Sequence, residues 1–381
     1  MNAPKTVDFD LHGLLTVRLR GQDADIACVS RQLGRTPLPS EDSAPEPQLR
    51  LRFVDRIELP ENELRFLGDG DAAFTESAFV VCKGQKKSRV RVAVPMQDAG
   101  GSCELLCERG LASVPLLIPL INLTLLENNV LALHASGFEH QGHGIVATGW
   151  SKGGKTAALM AFAKHGATYV GDAWVYLTPD SERFFGIPEP IPVRPWHWRA
   201  DAKLRARIAP HRRTQVRGLE LLAGGLRALT SDGTRHGSSL ARGLNRATPI
   251  VRRQLGVKVA PHVLFGAERC APSAVHERTL FMVPHAASEV AVREVRPVDV
   301  AERMMPALQE EMAELMRTYH QFRFAFPQER NPRIERSSER QRALLLQVLA
   351  DKPVYEVRHP RQVHADRLYG ALQAAWKGIE W

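Results

Sequence analysis

Eight consecutive residues, Gly149-Trp150-Ser151-Lys152-Gly153-Gly154-Lys155-Thr156, have the types and spacing to hold a polyphosphate. They fit the pattern G-x-x-x-x-G-K-[ST]. Its glycines let the backbone curl until successive N–H groups point inward at a helix N-terminus. In that pattern the lysine reaches the β- and γ-phosphates and the hydroxyl binds Mg²⁺, roles that fall here to Lys155 and Thr156. The flanks have the form the loop needs. Gly144 to Thr148 reads as a short buried strand, and Thr156 to His165 as a helix rich in alanine, leucine and methionine, closed by Gly166. The motif and its context predict ATP and Mg²⁺ as ligands.

Three further residues have chemistry to offer. Asp172 follows the loop's helix and the next apolar run, which places it at the C-terminal tip of a strand, the end that faces ligand in doubly wound sheets. A carboxylate there binds Mg²⁺ or takes the proton of an attacking hydroxyl. His134 lies on the strand before the loop's strand, and Glu189 sits between Pro188 and Pro190. Taken alone, each has a plainer role: a helix cap or turn former, a satisfied core histidine, a solvated carboxylate. Arg194 reads equally as a phosphate clamp or a structural ion pair, and Trp196 and Trp198 as packing residues.

Together, His134-Ala135-Ser136-Gly137, the run GIVATGWSKGGKT and His165-Gly166-Ala167-Thr168-Tyr169-Val170-Gly171-Asp172 resemble the HPr kinase/phosphorylase C-terminal domain and its relatives. That group includes kinases of peptide-modifying gene clusters and is akin to phosphoenolpyruvate carboxykinase. The resemblance covers roughly residues 110–198, is suggestive again over Val354 to Pro360, and does not extend to the first hundred residues. It implies that Lys155 and Thr156 are the phosphate lysine and Mg²⁺ hydroxyl. It further implies that Asp172 is the general base, that His134 positions that acid and the phosphates, and that Glu189 is a metal-linked glutamate. The sequence departs from the pattern at Ala173, where a second acid is expected, and at Lys152, where a glycine is usual. These departures point to a divergent relative with another acceptor rather than to an HPr kinase itself.

The elements that must position these groups are also legible. Leu15, Val17 and Leu19, then Leu49, Leu51 and Phe53, then Val90, Val92 and Val94 alternate largely with polar residues, as half-exposed strands do. Gly34 to Gln48 is a polar, proline-rich loop. The prediction is a small β-rich domain over residues 1–108 and an α/β P-loop core of the HPr kinase/phosphoenolpyruvate carboxykinase type over 109–381. A basic insertion occupies about 199–253, read as helical or partly disordered with a mobile loop over Ser231 to Ser239. Further elements are a helix around Leu116 to Asn128, a strand from Val130 to Phe138, and strands over Val257 to Phe265 and Thr279 to Val283. The C-terminal part adds a helix from about Val300 to Phe322, a second over Arg340 to Ala350, a strand at Val354 to Val357 and a last helix before Trp376.

Composition narrows the function classes. The chain has 381 residues, 44% hydrophobic, with a net charge of +9, enough for a buried core and suited to anionic ligands. Five scattered cysteines make no disulfide framework and point to a reducing, cytoplasmic setting. Cys103 and Cys107 would share a helical face, as buried thiols rather than a zinc site. The first ten residues carry no export signal, and the apolar run Leu111 to Leu126 is short and interrupted by prolines, so no membrane span is expected.

The resulting expectation is an ATP-dependent kinase whose acceptor is a hydroxyl on a peptide, protein or small molecule. The second reading is an ATPase, GTPase or nucleotide sensor coupled to a partner. Nucleic acid is a weaker third, with no zinc-finger or RNA-binding motif to support it. The sequence leaves a homo-oligomer open.

Overall fold

The computed structural model describes residues 3–35, 37–40, 46–85, 88–180, 182–187, 189–195, 198, 202–218, 221 and 257–376. The alternating N-terminal segments assemble into a nine-stranded mixed sheet of order β3-β1-β2-β4-β9-β8-β7-β6-β5. Its strands are β1 (Lys5–Asp10), β2 (Thr16–Gly21), β3 (Leu38–Pro39), β4 (Leu49–Val54), β5 (Arg65–Leu67), β6 (Ala72–Phe74), β7 (Phe79–Gln85), β8 (Ser88–Ala93) and β9 (Cys103–Glu108). The proline-rich stretch predicted as loop contributes the two-residue β3 and otherwise lies partly outside the described residues. One helix, α1 (Asp23–Leu33), was not anticipated. Gln22 and Asp25 close a capping box at its start, and Gly34 ends it in the left-handed region. Cys103 and Cys107 lie on β9, a strand rather than a helix, and both are buried free thiols.

The chain then enters α2 (Leu117–Glu127), the interrupted apolar run, whose leucines pack into the same core as the N-terminal sheet. No helix among the described residues is long and apolar enough to cross a membrane. The second sheet has eight strands in the order β16-β13-β12-β10-β11-β17-β19-β18. They are β10 (Leu131–His140), β11 (His143–Thr148), β12 (Thr168–Thr178), β13 (Arg183–Gly186), β16 (Ser273–Val275), β17 (Arg278–His285), β18 (Ala291–Val295) and β19 (Val354–Pro360). A separate pair, β14 (Ile191–Val193) and β15 (Val257–Val259), flanks it. In the second sheet β17 pairs in parallel with both β11 and β19, and the other strand pairings are antiparallel. The protein is therefore mixed α/β, with two large mixed sheets.

Both faces of the second sheet are covered, which explains its near-continuous apolar strands. Ile145, Ala147, Leu280 and Met282 face α3 (Lys155–Ala163) and the last helix, α10 (Ala365–Trp376). Val146 and Phe281, one residue out of phase, face α6 (Pro297–Glu311) and α9 (Ser337–Leu349). Between α6 and α9 lie α7 (Ala313–Ala325) and the short α8 (Pro332–Glu335); α4 (Ala202–Arg207) and α5 (Pro261–Phe265) precede them.

Two sequence expectations change here. Val257 to Phe265 is not one strand: Pro261 opens α5, because proline has no N–H for a ladder and suits a helix's first turn. The single helix expected from Val300 to Phe322 is two, divided at Met312, while Pro306 sits inside α6 without ending it. The basic stretch 199–253 lies outside the described residues except for 202–218 and 221, as does Trp196; Trp198 is buried.

Candidate functional site

The strand, glycine loop and helix expected around residues 144–165 are present as β11, the turn 149–154 and α3. The loop folds tightly against β17. Gly149 has φ +140°, and a Cβ there would stand 2.6 Å from the Met282 carbonyl oxygen. Gly154 has φ +106°, and a Cβ there would collide with the His359 ring. Gly153 N–H donates to the Trp150 carbonyl at 2.9 Å, closing a turn whose tip exposes Trp150, Ser151 and Lys152. Lys152 itself adopts φ +62°, a left-handed conformation that glycine takes without strain.

Lys155 opens α3 and turns inward. It is 6% exposed, and its ammonium donates to the carbonyls of Gly149 at 3.1 Å and Trp150 at 3.0 Å. Burial pulls it down to about 8, against the opposing pull of the Glu311 and Asp172 carboxylates. This cation is therefore held by neutral oxygens, with its compensating charges nearby rather than in contact.

Asp172 is not at a strand tip. It lies inside the 11-residue β12, which runs antiparallel to β10. Two irregularities bracket it. The register with β10 shifts between Gly137 and Phe138, and the next residue, Ala173, has φ +77°. Such breaks bend a strand and re-aim its side chains. The Asp172 carboxylate reaches the first turn of α3: Thr156 Oγ1 donates to its oxygens at 3.2 and 3.1 Å, and Ser136 on the paired β10 also donates to it. Asp172 is 4% exposed. Burial raises its affinity for a proton, countered by those hydroxyl bonds and by the charges of His134 and Lys155.

The remaining expected residues divide. His134 faces the same site and pairs through Nδ1 with Glu311 Oε1 at 2.5 Å, with the Trp174 ring 5.7 Å away. Glu189, half-buried after β13, is not bonded to the cluster but senses it. Burial pushes its carboxyl up to about 7, Lys258 draws it down and Asp172 pushes it further up. Among the described residues no group of three or more histidine, cysteine, aspartate or glutamate side chains is arranged to hold a metal.

The structure also brings in Ser136, His359 and Glu311, which carry no role in the sequence reading. Ser136 is recognisable afterwards, two positions along β10 from His134 on the same face. His359, at the end of β19, sets Nε2 2.9 Å from the Gly153 carbonyl oxygen and supports the loop from below. Glu311, the last residue of α6, has no local signal at all.

The arrangement offers a helix N-terminus, a buried ammonium, a hydroxyl paired with a carboxylate, and a histidine–glutamate pair. That set suits an anionic ligand with several oxygens and a hard cation. No protein-family model matches the chain, and a search of curated proteins gives no match.

Proposed function

We propose that the chain is an ATP-dependent kinase, built on a P-loop core of the HPr kinase/phosphoenolpyruvate carboxykinase type, that moves the γ-phosphoryl group to a hydroxyl acceptor. One observation carries this reading: Lys155 and Thr156, adjacent at the start of α3, converge with the buried Asp172 carboxylate, its oxygens 3.1 and 3.2 Å from the threonine hydroxyl. A polyphosphate at the loop would meet the ammonium and the α3 amides, and the Lys155 hydrogen bonds to Gly149 and Trp150 would pass to phosphate oxygens.

The donor set fits Mg²⁺. Thr156 and Asp172 supply hard oxygens on one side, and without a closed carboxylate cage among the described residues the ion would keep water and phosphate as its other ligands, as Mg²⁺ prefers. Thr156 and Asp172 would hold it, with Glu189 facing the same charge from further out. When bound, Mg²⁺ supplies neutralisation of charge on the transferring group. The chain's own contribution is position and exclusion of water: Ser136 and Thr156 fix the carboxylate, and His359 fixes the loop. Asp172 was also expected to act as the general base. With Thr156 on both of its oxygens and Ser136 on one, its geometry supports holding the ion better than reaching an acceptor.

That burial also favours the second reading, a nucleotide hydrolase or sensor without an acceptor. Incubating the full chain with Mg²⁺, γ-labelled ATP and cell extract separates the two. Label on an extract component supports the kinase, and free phosphate alone supports the hydrolase. Absence of ATP binding ends both. Asp172→Asn should retain ATP binding but lose transfer, and its ATP affinity should no longer depend on Mg²⁺.

A further inference from the structure

We propose that His134 and Glu311 form the proton-accepting pair of this site: His134 Nε2 takes the acceptor's hydroxyl proton, while Glu311 orients the ring through Nδ1. The inference rests on the kinase reading above and fills the role that Asp172 is too enclosed to fill. Asp172 is 4% exposed and bonded by two hydroxyls, whereas the His134 and Glu311 side chains are 27% and 26% exposed. A group that must meet a substrate hydroxyl needs a path to it. The pair has one.

The geometry sets the ring for this task. Nδ1 of His134 lies 2.5 Å from Glu311 Oε1, and Nε2 has no hydrogen-bond partner among the described residues. A carboxylate on one ring nitrogen holds the proton there and leaves a lone pair on the other. Trp174, opposite His134 in the β10–β12 register, packs beside the ring and limits its rotation. The other groups facing the pair are Lys155 from α3, which lowers the proton affinity of Glu311, and Asp172 from β12. Glu311, the last residue of α6, meets His134 on β10.

The transfer balances. As the acceptor oxygen bonds to the γ-phosphorus, the bond from that phosphorus to the β,γ-bridging oxygen breaks and its electron pair leaves with ADP. The hydroxyl proton passes to His134 Nε2 and then to solvent. Glu311 gains no proton; it stabilises the imidazolium that forms.

Two measurements on the full chain test this, with folding of each variant checked by circular dichroism. The first is ¹⁵N-histidine NMR without nucleotide. The wild type should show His134 protonated at Nδ1 and bare at Nε2, and Glu311→Gln should remove that preference. The second is turnover of Mg·ATP with water as the acceptor, alongside ATP affinity by calorimetry. His134→Asn should lose about 100-fold in kcat, and Glu311→Gln less, with ATP affinity retained in both. The opposite tautomer in the wild type, or wild-type turnover in His134→Asn, overturns the pair while leaving the kinase reading standing. Failure of the wild type to bind ATP removes the kinase reading and the base role with it, whereas the tautomer is read independently of nucleotide.

Discussion

The N-terminal core and the glycine-loop end of the second sheet surround buried charge differently. In the N-terminal sheet, the Glu108 carboxylate accepts from the backbone N–H groups of Ile57 at 3.0 Å and Arg91 at 2.9 Å, and Asp8 is bonded twice by Arg18 at 2.9 Å. The core it shares with α2, α7 and α8 is similarly closed: Asn331, fully buried, donates to the carbonyls of Met96 and Ala99 and accepts from Arg333 and Ile334. These polar groups complete the fold. In the second sheet, Lys155 and Asp172 are just as enclosed, yet rest on carbonyls and hydroxyls rather than on each other. An ammonium and a carboxylate buried close together without a direct bond cost stability. Under the proposed function, a bound polyphosphate and its cation would supply the missing charge at this end of the second sheet.

The contrast can be broken by substitution. Lys155→Met should weaken Mg·ATP binding about 1000-fold, because the phosphates lose their buried cation. It should also raise the thermal midpoint of the ligand-free protein, since a desolvated ammonium is gone. Calorimetry and thermal melts read both; a lower midpoint with ATP binding intact would erase the distinction between the sheets. Glu108→Ala should do the reverse. One buried and one part-buried N–H group lose their acceptor, at a cost of about 2 to 4 kcal/mol in denaturant unfolding, while ATP affinity stays unchanged.

The pH dependence sharpens the comparison. Burial holds Lys155 at about 8, below the ordinary 10.5. The penalty for burying the cation is therefore complete below pH 8. Between 8 and 10.5 the folded protein sheds this proton before the unfolded chain does, so stability of the ligand-free form should rise across that window. Polyphosphate favours the charged form. ATP binding should accordingly take up a proton near pH 8 and weaken by up to about tenfold per unit above it, as calorimetry in buffers of different ionisation heat would show. The smallest effect belongs to Lys152→Gly, which removes a left-handed lysine from the loop and should stabilise by about 1 kcal/mol or less, glycine's greater unfolded entropy offsetting part of the gain.

How much of this was readable depended on distance along the chain. The glycine loop, its strand and its helix are contiguous, and their residue types state the local geometry outright. The N-terminal strands announced themselves by alternation. Asp172 was found by spacing, although its place within β12 was not: a bulge and a left-handed alanine leave no compositional trace. The break at Met312 was invisible for a similar reason, with no glycine or proline at that point to mark it.

Sequence alone determined the turn that can wrap an anion, because the glycines and the lysine act through backbone freedom and reach within eight consecutive positions. Tertiary structure alone decided what surrounds it. Glu311 lies 177 residues from His134, and His359 lies 206 residues from Gly153. Their meeting follows from strand order and helix packing, which bring remote segments to one end of a sheet, and no local pattern encodes that proximity.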